Sequence, residues 1–261
     1  MEILGYIASI LVGVTLGLIG GGGSILTVPI LVYLFGIPMV AASSYSLFIV
    51  WITSLVGGMK YTRQKLVKPM QVMVFGIPAV IAVFLTRIWV MPNIPAEILI
   101  WHISISKDIF LLGFFAVLMI AASLSMILPL KLKNTGKKKH IIWIMLEGMV
   151  VGTITGLVGA GGGFMIIPAL VIFNKMPIKE AIGTSLFIIA LNSLIGFTSG
   201  LHLVSIDWML LLQIAGLAII GIFIGNKVSK KISWETLKPL FWWFVLILGS
   251  IILIQELQHI L

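Results

Sequence analysis

The sequence has no cysteine, and this absence excludes disulfide bonds, thiolate metal sites and cysteine nucleophiles together. Charge is scarce as well: Asp, Glu, Lys and Arg make up 10% of the 261 residues, whereas soluble domains carry about 25% charged residues. With 60% hydrophobic residues and a mean hydropathy of +1.22, the chain could not cover its own surface in water. The composition predicts an all-α polytopic membrane protein.

Apolar runs recur along the whole chain, separated by short polar segments. They lie near residues 3–20, 24–36, 40–58, 69–90, 109–130, 141–158, 164–173, 181–199, 207–226 and 239–258. Because a membrane-spanning helix needs about 20 residues, the runs predict about 8–10 membrane segments. Two runs, 24–36 and 164–173, are too short to cross comfortably, and we interpret them as half-helices, re-entrant segments or strongly tilted spans.

The net charge of +9 is carried by residues that lie between the apolar runs. This placement argues against a nucleic-acid partner and indicates membrane orientation, because cytoplasmic loops are rich in Lys and Arg. The basic segments are 59–68, 131–140 and 227–238, and we predict that they face the cytoplasm. Both chain termini are then predicted to lie outside, together with the loops at 88–107 and 200–207.

The chain repeats itself with an offset of 139 residues. The segment Gly13–Pro29 matches Gly152–Pro168 at several glycines and the final proline, and Ser46-Leu47-Phe48 falls on Ser185-Leu186-Phe187 in the same register. Apolar composition alone does not align glycines, prolines and a triplet in one register. We therefore divide the chain into a first repeat at 1–130, a basic cytoplasmic linker at 131–140 and a second repeat at 141–261.

The two repeats carry opposite charge bias in equivalent loops. Residues 59–68 hold four basic side chains, whereas the equivalent segment 198–207 holds no Lys or Arg. This difference predicts two inverted-topology repeats with an odd number of crossings each. Inverted repeats are typical of secondary transporters, in which the substrate binds near the midplane at the interface between the repeats.

Two glycine runs interrupt apolar helices at equivalent places. Glycine is a poor helix former, and unwound backbone in a bilayer is tolerated only where it is buried in protein or lines a cavity. The functional interpretation is a pair of glycine-broken helices whose free N–H groups point at an anion. The structural alternative is close helix packing, which describes Gly13, Gly17, Gly152 and Gly156 well. The candidate substrate-binding residues in the runs are Gly21, Gly22, Gly23, Ser24, Gly161, Gly162 and Gly163.

Polar side chains within the apolar runs extend this candidate site. Ser46 and Ser185 are equivalent in the two repeats, as are Thr53 and Asn192, and the two pairs are seven residues apart, so each helix presents them on one face. Thr184 completes the set. Their hydroxyl and amide groups could bind a substrate, or they could form hydrogen bonds between helices. Asn192 is the strongest individual candidate, followed by Ser24.

Charged residues inside the apolar runs are nearly absent. Glu147 is the only carboxylate that we expect at depth, and it either reaches toward the interface or accepts a coupled proton. Arg87, Asp108 and Asp207 fall at the ends of runs, where an interfacial position is expected. Without a buried Arg or Lys, an anion would be bound by backbone amides and neutral donors. The four histidines show no metal-ligand spacing, and no cofactor is predicted.

At these residues the sequence resembles the TauE/SafE family of membrane permeases, which are similar to sulfite exporters. The resemblance rests on the run from Gly17 to Pro29 and its second copy from Gly156 to Pro168, followed by Ala181-Ile-Gly183-Thr184-Ser185-Leu186. It implies export or uptake of sulfur-containing anions, such as sulfite or organosulfonates, across a prokaryotic cytoplasmic membrane. The first repeat departs from the second by having Tyr45 where Thr184 stands.

The leading hypothesis is therefore a secondary transporter that moves a small anion by alternating access, with coupled protons and a homo-oligomer left open. An anion channel of the same architecture would share the site but would show no counterflow. An intramembrane serine protease using Ser24 or Ser46 is disfavoured, because no Gly-x-Ser-x-Gly motif is present. A lipid-handling or assembly protein would show no solute flux.

Overall fold

The computed structural model describes residues 2–100, 103–128, 140–229 and 234–258. In chain order its helices are α1 (Glu2–Ile19), α2 (Thr27–Tyr33), α3 (Met39–Arg63), α4 (Pro69–Asn93), α5 (Lys107–Ile127), α6 (Ile141–Val158), α7 (Gly163–Phe173), α8 (Ile178–Gly200), α9 (Trp208–Val228) and α10 (Trp234–Gln258). Eight helical stretches in these ranges are long and apolar enough to cross a membrane, which confirms the all-α polytopic prediction. Nearly all of the predicted linker at 131–140 lies outside the described residues.

Large apolar side chains cover the outer surface of the helices. Leu11, Ile81, Phe223, Leu240 and Ile254 are all exposed, and they belong to four different helices. Soluble monomers rarely expose contiguous apolar surface on this scale. These side chains therefore face lipid in the membrane-embedded protein.

The first glycine run reverses the direction of the chain. Gly20 has a φ of +76°, and a 3₁₀ segment over Gly20–Leu26 follows it and leads into α2. Gly23 packs back against Thr15 of α1, and the ring of Phe35 meets that of Tyr6 with 5.5 Å between centroids. The run therefore interrupts the α-helix, and its 3₁₀ geometry keeps the backbone of the break hydrogen-bonded. The segment 24–36 therefore folds back along α1 toward its first residues.

The second glycine run is a true helix break. The helix α6 ends at Gly159, whose φ is +78° and whose N–H donates to the Thr155 carbonyl over 2.8 Å. Gly161 and Gly162 also have positive φ, and helical structure resumes at Gly163. At its far end, α7 places Phe173 in the same crevice as Trp143 near the start of α6. Both halves therefore begin with a helical hairpin whose tip is rich in glycine.

The hairpins pack against helices of the other half. The helix α1 runs parallel to α9, and α6 runs parallel to α4. Gly13 lies against the backbone of Ala218, and Gly152 lies against the backbone of Ala79, with no room for a Cβ at either glycine. These two contacts are equivalent at the 139-residue offset. They confirm close packing as the role of Gly13 and Gly152.

The helices α3 and α8 form the central pair of the molecule and run antiparallel. Tyr61 near the end of α3 packs on Gly183 near the start of α8, and Leu47 packs on Gly196. Both helices have a large share of fully buried residues. The repeat-equivalent helices thus lie side by side in opposite directions.

A small β-hairpin, which the sequence analysis did not predict, follows α4. Strand β1 (Glu97–Ile100) pairs antiparallel with β2 (Ile103–Ser106), and Glu97 lies opposite Ser106. Alternating isoleucines favour an extended conformation in this short polar-ended segment. The hairpin lies in the loop between α4 and α5.

Candidate functional site

The two glycine runs meet inside the molecule. A Cβ placed at Gly163 would overlap the carbonyl oxygen of Gly21, and one placed at Gly21 would lie 3.2 Å from the Gly163 Cα. Both runs are fully buried. The tips of the two hairpins, one from each half, are therefore in direct backbone contact.

The central helices α3 and α8 form the walls around this contact. A Cβ at Gly161 would lie 2.9 Å from the Ser193 Oγ of α8 and would touch Val50 of α3, and Gly21 packs on Ile189. Gly20 rests on Ile182 of α8 and Gly159 rests on Ser43 of α3. The latter two contacts are equivalent at the repeat offset, so both hairpin tips use the central pair in the same way.

Several polar side chains of α3 and α8 are buried with no hydrogen-bond partner among the described residues. They are the Oγ atoms of Ser46, Ser54 and Ser193, and both polar atoms of the Asn192 amide. Each of these residues is 0% exposed. Buried polar groups are nearly always hydrogen-bonded to protein or water, so these groups indicate a place for water or a polar ligand.

Other predicted site residues bond to their own backbone. Ser24 donates to the Gly21 carbonyl over 2.8 Å, Thr53 to the Ile49 carbonyl over 2.6 Å and Ser185 to the Ile182 carbonyl over 2.9 Å. All three are buried. Their hydroxyl oxygens retain capacity to accept a hydrogen bond.

The remaining predicted residues are turned elsewhere. Gly22 packs toward Phe241 of α10, and Gly23 and Gly162 pack against Thr15 and Thr155 of their own hairpins. Thr184 accepts a hydrogen bond from the Lys68 N–H over 3.0 Å, at the α3–α4 loop. The structure therefore brings Gly21, Gly161 and Gly163 together and leaves these four at other contacts.

Tyr45 and Thr184 stand at equivalent positions of the two repeats, and their hydroxyl groups accept equivalent hydrogen bonds. The Asp207 N–H donates to the Tyr45 hydroxyl over 2.5 Å, and Asp207 is the repeat equivalent of Lys68. Both hydroxyls thus tie the start of a central helix to the loop that precedes α4 or α9. The departure from the repeat pattern therefore leaves the hydroxyl's role unchanged.

Arg87 is fully buried in the protein, which corrects the prediction that no Arg or Lys is buried. Its guanidinium donates from Nη2 to the Ser43 Oγ over 3.0 Å and from Nη1 to the Ser44 Oγ over 3.3 Å. The helix α4 continues to Asn93, so Arg87 lies within the helix rather than at its end. The apolar residues continue along the sequence to Met91, and this continuation could have predicted that Arg87 lies within the helix.

Glu147 lies apart from the contact between the glycine runs. It lines an apolar crevice of about 460 Å³ between α5, α6 and α7, together with Trp143, Met165 and Phe173. Glu147 itself is half-buried. Glu256 in α10 is 5% exposed, and its Oε1 accepts a hydrogen bond from the Tyr33 hydroxyl over 2.6 Å.

Comparisons with known proteins agree with this architecture. The sequence profile of the family described as "Sulfite exporter TauE/SafE" matches residues 5–252. The chain is 27% identical over 270 residues to "Probable membrane transporter protein YunE" of Bacillus subtilis, which covers 91% of this chain and 90% of that protein. A "Probable membrane transporter protein" of Methanocaldococcus jannaschii is 28% identical over 249 residues, covering 89% and 88% of the two chains. No solved structure matches the chain with significant similarity.

The family match covers both glycine runs and the helices packed around them. The relatives are named as transporters, in agreement with the prediction of a transporter rather than an enzyme. The chain therefore belongs to the sulfite exporter TauE/SafE family of membrane transporters.

Proposed function

We propose that this protein is a secondary transporter that moves a small sulfur-containing anion, sulfite or an organosulfonate, across the cytoplasmic membrane by alternating access. The observation that carries this proposal is the buried backbone contact between Gly21 and Gly163. It lies between two halves of the chain and near the Ser193 hydroxyl, which has no hydrogen-bond partner among the described residues. Transporter sites lie at such interfaces between repeats.

The chemistry of the site suits a small oxyanion. The Asn192 amide and the Ser46 and Ser193 hydroxyls supply neutral donors in a buried space. An oxyanion with several equivalent oxygens can accept from all of them. Thr53 and Ser185 contribute hydroxyl groups on the same helices, and Ser24 contributes one in the first glycine run.

We infer that the two halves are inverted relative to each other. The antiparallel course of α3 and α8 supports this inference, as do the hairpins, which give each half an odd number of passes. Alternating access then follows from a rocking motion of one half against the other about the Gly21–Gly163 contact.

The charge distribution supports an orientation with both termini outside. The Lys68 Nζ pairs with the Glu180 Oε1 over 2.9 Å, which joins the loop before α4 to the first turn of α8 on one face. Lys60, Arg63 and Lys65 lie at this face, which we assign to the cytoplasm. The Tyr33–Glu256 hydrogen bond joins the ends of α2 and α10 at the opposite face.

Counterflow of labelled sulfite into proteoliposomes tests the proposal. A carrier loaded with unlabelled sulfite inside takes up labelled sulfite transiently above equilibrium, and the uptake saturates. Sulfate, chloride and methanesulfonate serve as competitors that define the substrate class. Conductive flux without counterflow would indicate a channel, and the absence of flux for every sulfur oxyanion would refute the proposal.

A further inference from the structure

Arg87 has a positive charge that no carboxylate balances among the residues that the structure describes. Ser43 and Ser44 accept from its two Nη groups, and both are neutral. The Nε–H has no acceptor within the described part of the chain. Ionisable residues within membrane helices are paired or serve function, because an isolated charge is costly in a bilayer.

The repeat does not account for this charge. The position equivalent to Arg87 in the second half is Asn226, which is neutral. The contact between Ser44 and Gly200 is equivalent to that between Gly183 and Tyr61, where the tyrosine side chain fills the space. At Gly200 no side chain is present, and the Arg87 Nη1 would lie 3.4 Å from a Cβ at that residue. The Arg87 guanidinium therefore lies beside Ser44 and Gly200, where the equivalent contact in the other half is filled by the uncharged ring of Tyr61.

The surroundings of Arg87 connect it to the glycine runs. Ser43, which binds the Nη2, is also the residue on which Gly159 rests. Thr86 beside Arg87 packs on Gly156 of α6. A change at the guanidinium is therefore transmitted directly to the backbone of the second hairpin.

We propose that Arg87, with Ser43 and Ser44, binds the transported oxyanion on the side of the molecule where α3 begins. A guanidinium presents two parallel N–H groups that match two oxygens of an oxyanion, and the unpartnered Nε–H is one of them. The Ser43 and Ser44 hydroxyls donate their own protons to the Val40 carbonyl and accept from the guanidinium, so they hold the Arg87 side chain in position for the anion. This inference rests on the proposed anion transport and adds to it the charged residue that selects for an anion.

Anion-dependent stabilisation of the purified protein tests the inference separately from transport. Thermal unfolding is measured against increasing sulfite, methanesulfonate and chloride at constant ionic strength, because a ligand that binds only the folded state raises the unfolding temperature. The variants are Arg87→Gln and Arg87→Lys, and Arg63→Gln provides a matched control at an exposed arginine. Sulfite counterflow is recorded for the same proteins.

We expect sulfite to stabilise the wild type and Arg63→Gln with the same dose dependence. Loss of a charge-assisted hydrogen bond should weaken the apparent affinity of Arg87→Gln about tenfold or more, and Arg87→Lys should fall between the two. A merely structural arginine would lower the unfolding temperature at every sulfite concentration and leave the dose dependence unchanged.

The outcomes separate this inference from the proposed function. If Arg87→Gln keeps the wild-type dose dependence while the wild type shows counterflow, Arg87 does not bind the anion and the transport proposal stands. If the wild type shows neither stabilisation nor flux, both proposals fall. Should Arg87→Gln not fold, Arg87→Lys decides, since an unchanged sulfite dose dependence in that variant would overturn the assignment.

Discussion

Gly163 packs so closely on the backbone of Gly21 that a Cβ at Gly163 would overlap the Gly21 carbonyl oxygen, and a Cβ at Gly21 would collide with Ile189. The two residues come from different halves of the chain, and each lies in the glycine run of its hairpin. The contact is one of several close backbone approaches between the halves, and it is the one at the centre of the proposed site.

The substitution Gly163→Ala tests how tightly the hairpin tips are packed. The added methyl group would collide with the Gly21 carbonyl oxygen, and overpacking of this kind costs about 1–3 kcal/mol of stability. We expect a lower unfolding temperature in detergent. Gly216→Ala is the matched control, because that glycine lies in α9 with nothing within 4 Å of a Cβ. Equal unfolding temperatures for the two variants would show that the tips are not in close contact.

The sequence predicted the parts of this fold that repeat or follow a periodic pattern. Apolar run length predicted the spans, and the match between Gly13 and Gly152 predicted two equivalent close contacts. The fold-back at Gly20 could not be predicted, because run length alone does not distinguish a short crossing from a hairpin. That distinction depends on the packing of Phe35 against Tyr6.

The candidate site was predicted in part. The glycine runs and the Asn192 amide were identified from the repeat, but Thr184 was included although it bonds to the Lys68 N–H at a loop. The burial of Arg87 was missed, because the depth of a residue near the end of an apolar run depends on how far the helix continues. The hydroxyls of Ser43 and Ser44 are what receive the guanidinium.

Glu147→Gln tests proton coupling. If Glu147 accepts the coupled proton, the variant should lose acceleration of sulfite uptake by an imposed pH gradient, while sulfite counterflow, which needs no net proton movement, is retained. Glu97→Gln is the control, since Glu97 is an exposed residue of the β-hairpin. A pH-gradient response in Glu147→Gln equal to that of the control would exclude Glu147 as the coupling group.

The orientation can be tested directly because the chain has no native cysteine. Gln64 at the end of α3 and Asn93 at the end of α4 are both exposed, at opposite faces of the proposed topology. We expect a membrane-impermeant maleimide to label Asn93→Cys in intact cells and Gln64→Cys only after permeabilisation. The reverse labelling pattern would place the termini in the cytoplasm.

The most direct test of the central claim compares sulfite counterflow in the wild type with that in Asn192→Leu. Because the Asn192 amide has no partner among the described residues, leucine, which has the same number and branching of side-chain heavy atoms, should leave the unfolding temperature unchanged or raise it. We expect saturable counterflow in the wild type and a reduction of about tenfold or more in Asn192→Leu, since a substrate hydrogen bond is lost. The control Ser250→Ala removes a hydroxyl that bonds only to the Leu246 carbonyl of its own helix and should transport normally. Wild-type counterflow in a folded Asn192→Leu protein would contradict a substrate site between the glycine runs and the central helices.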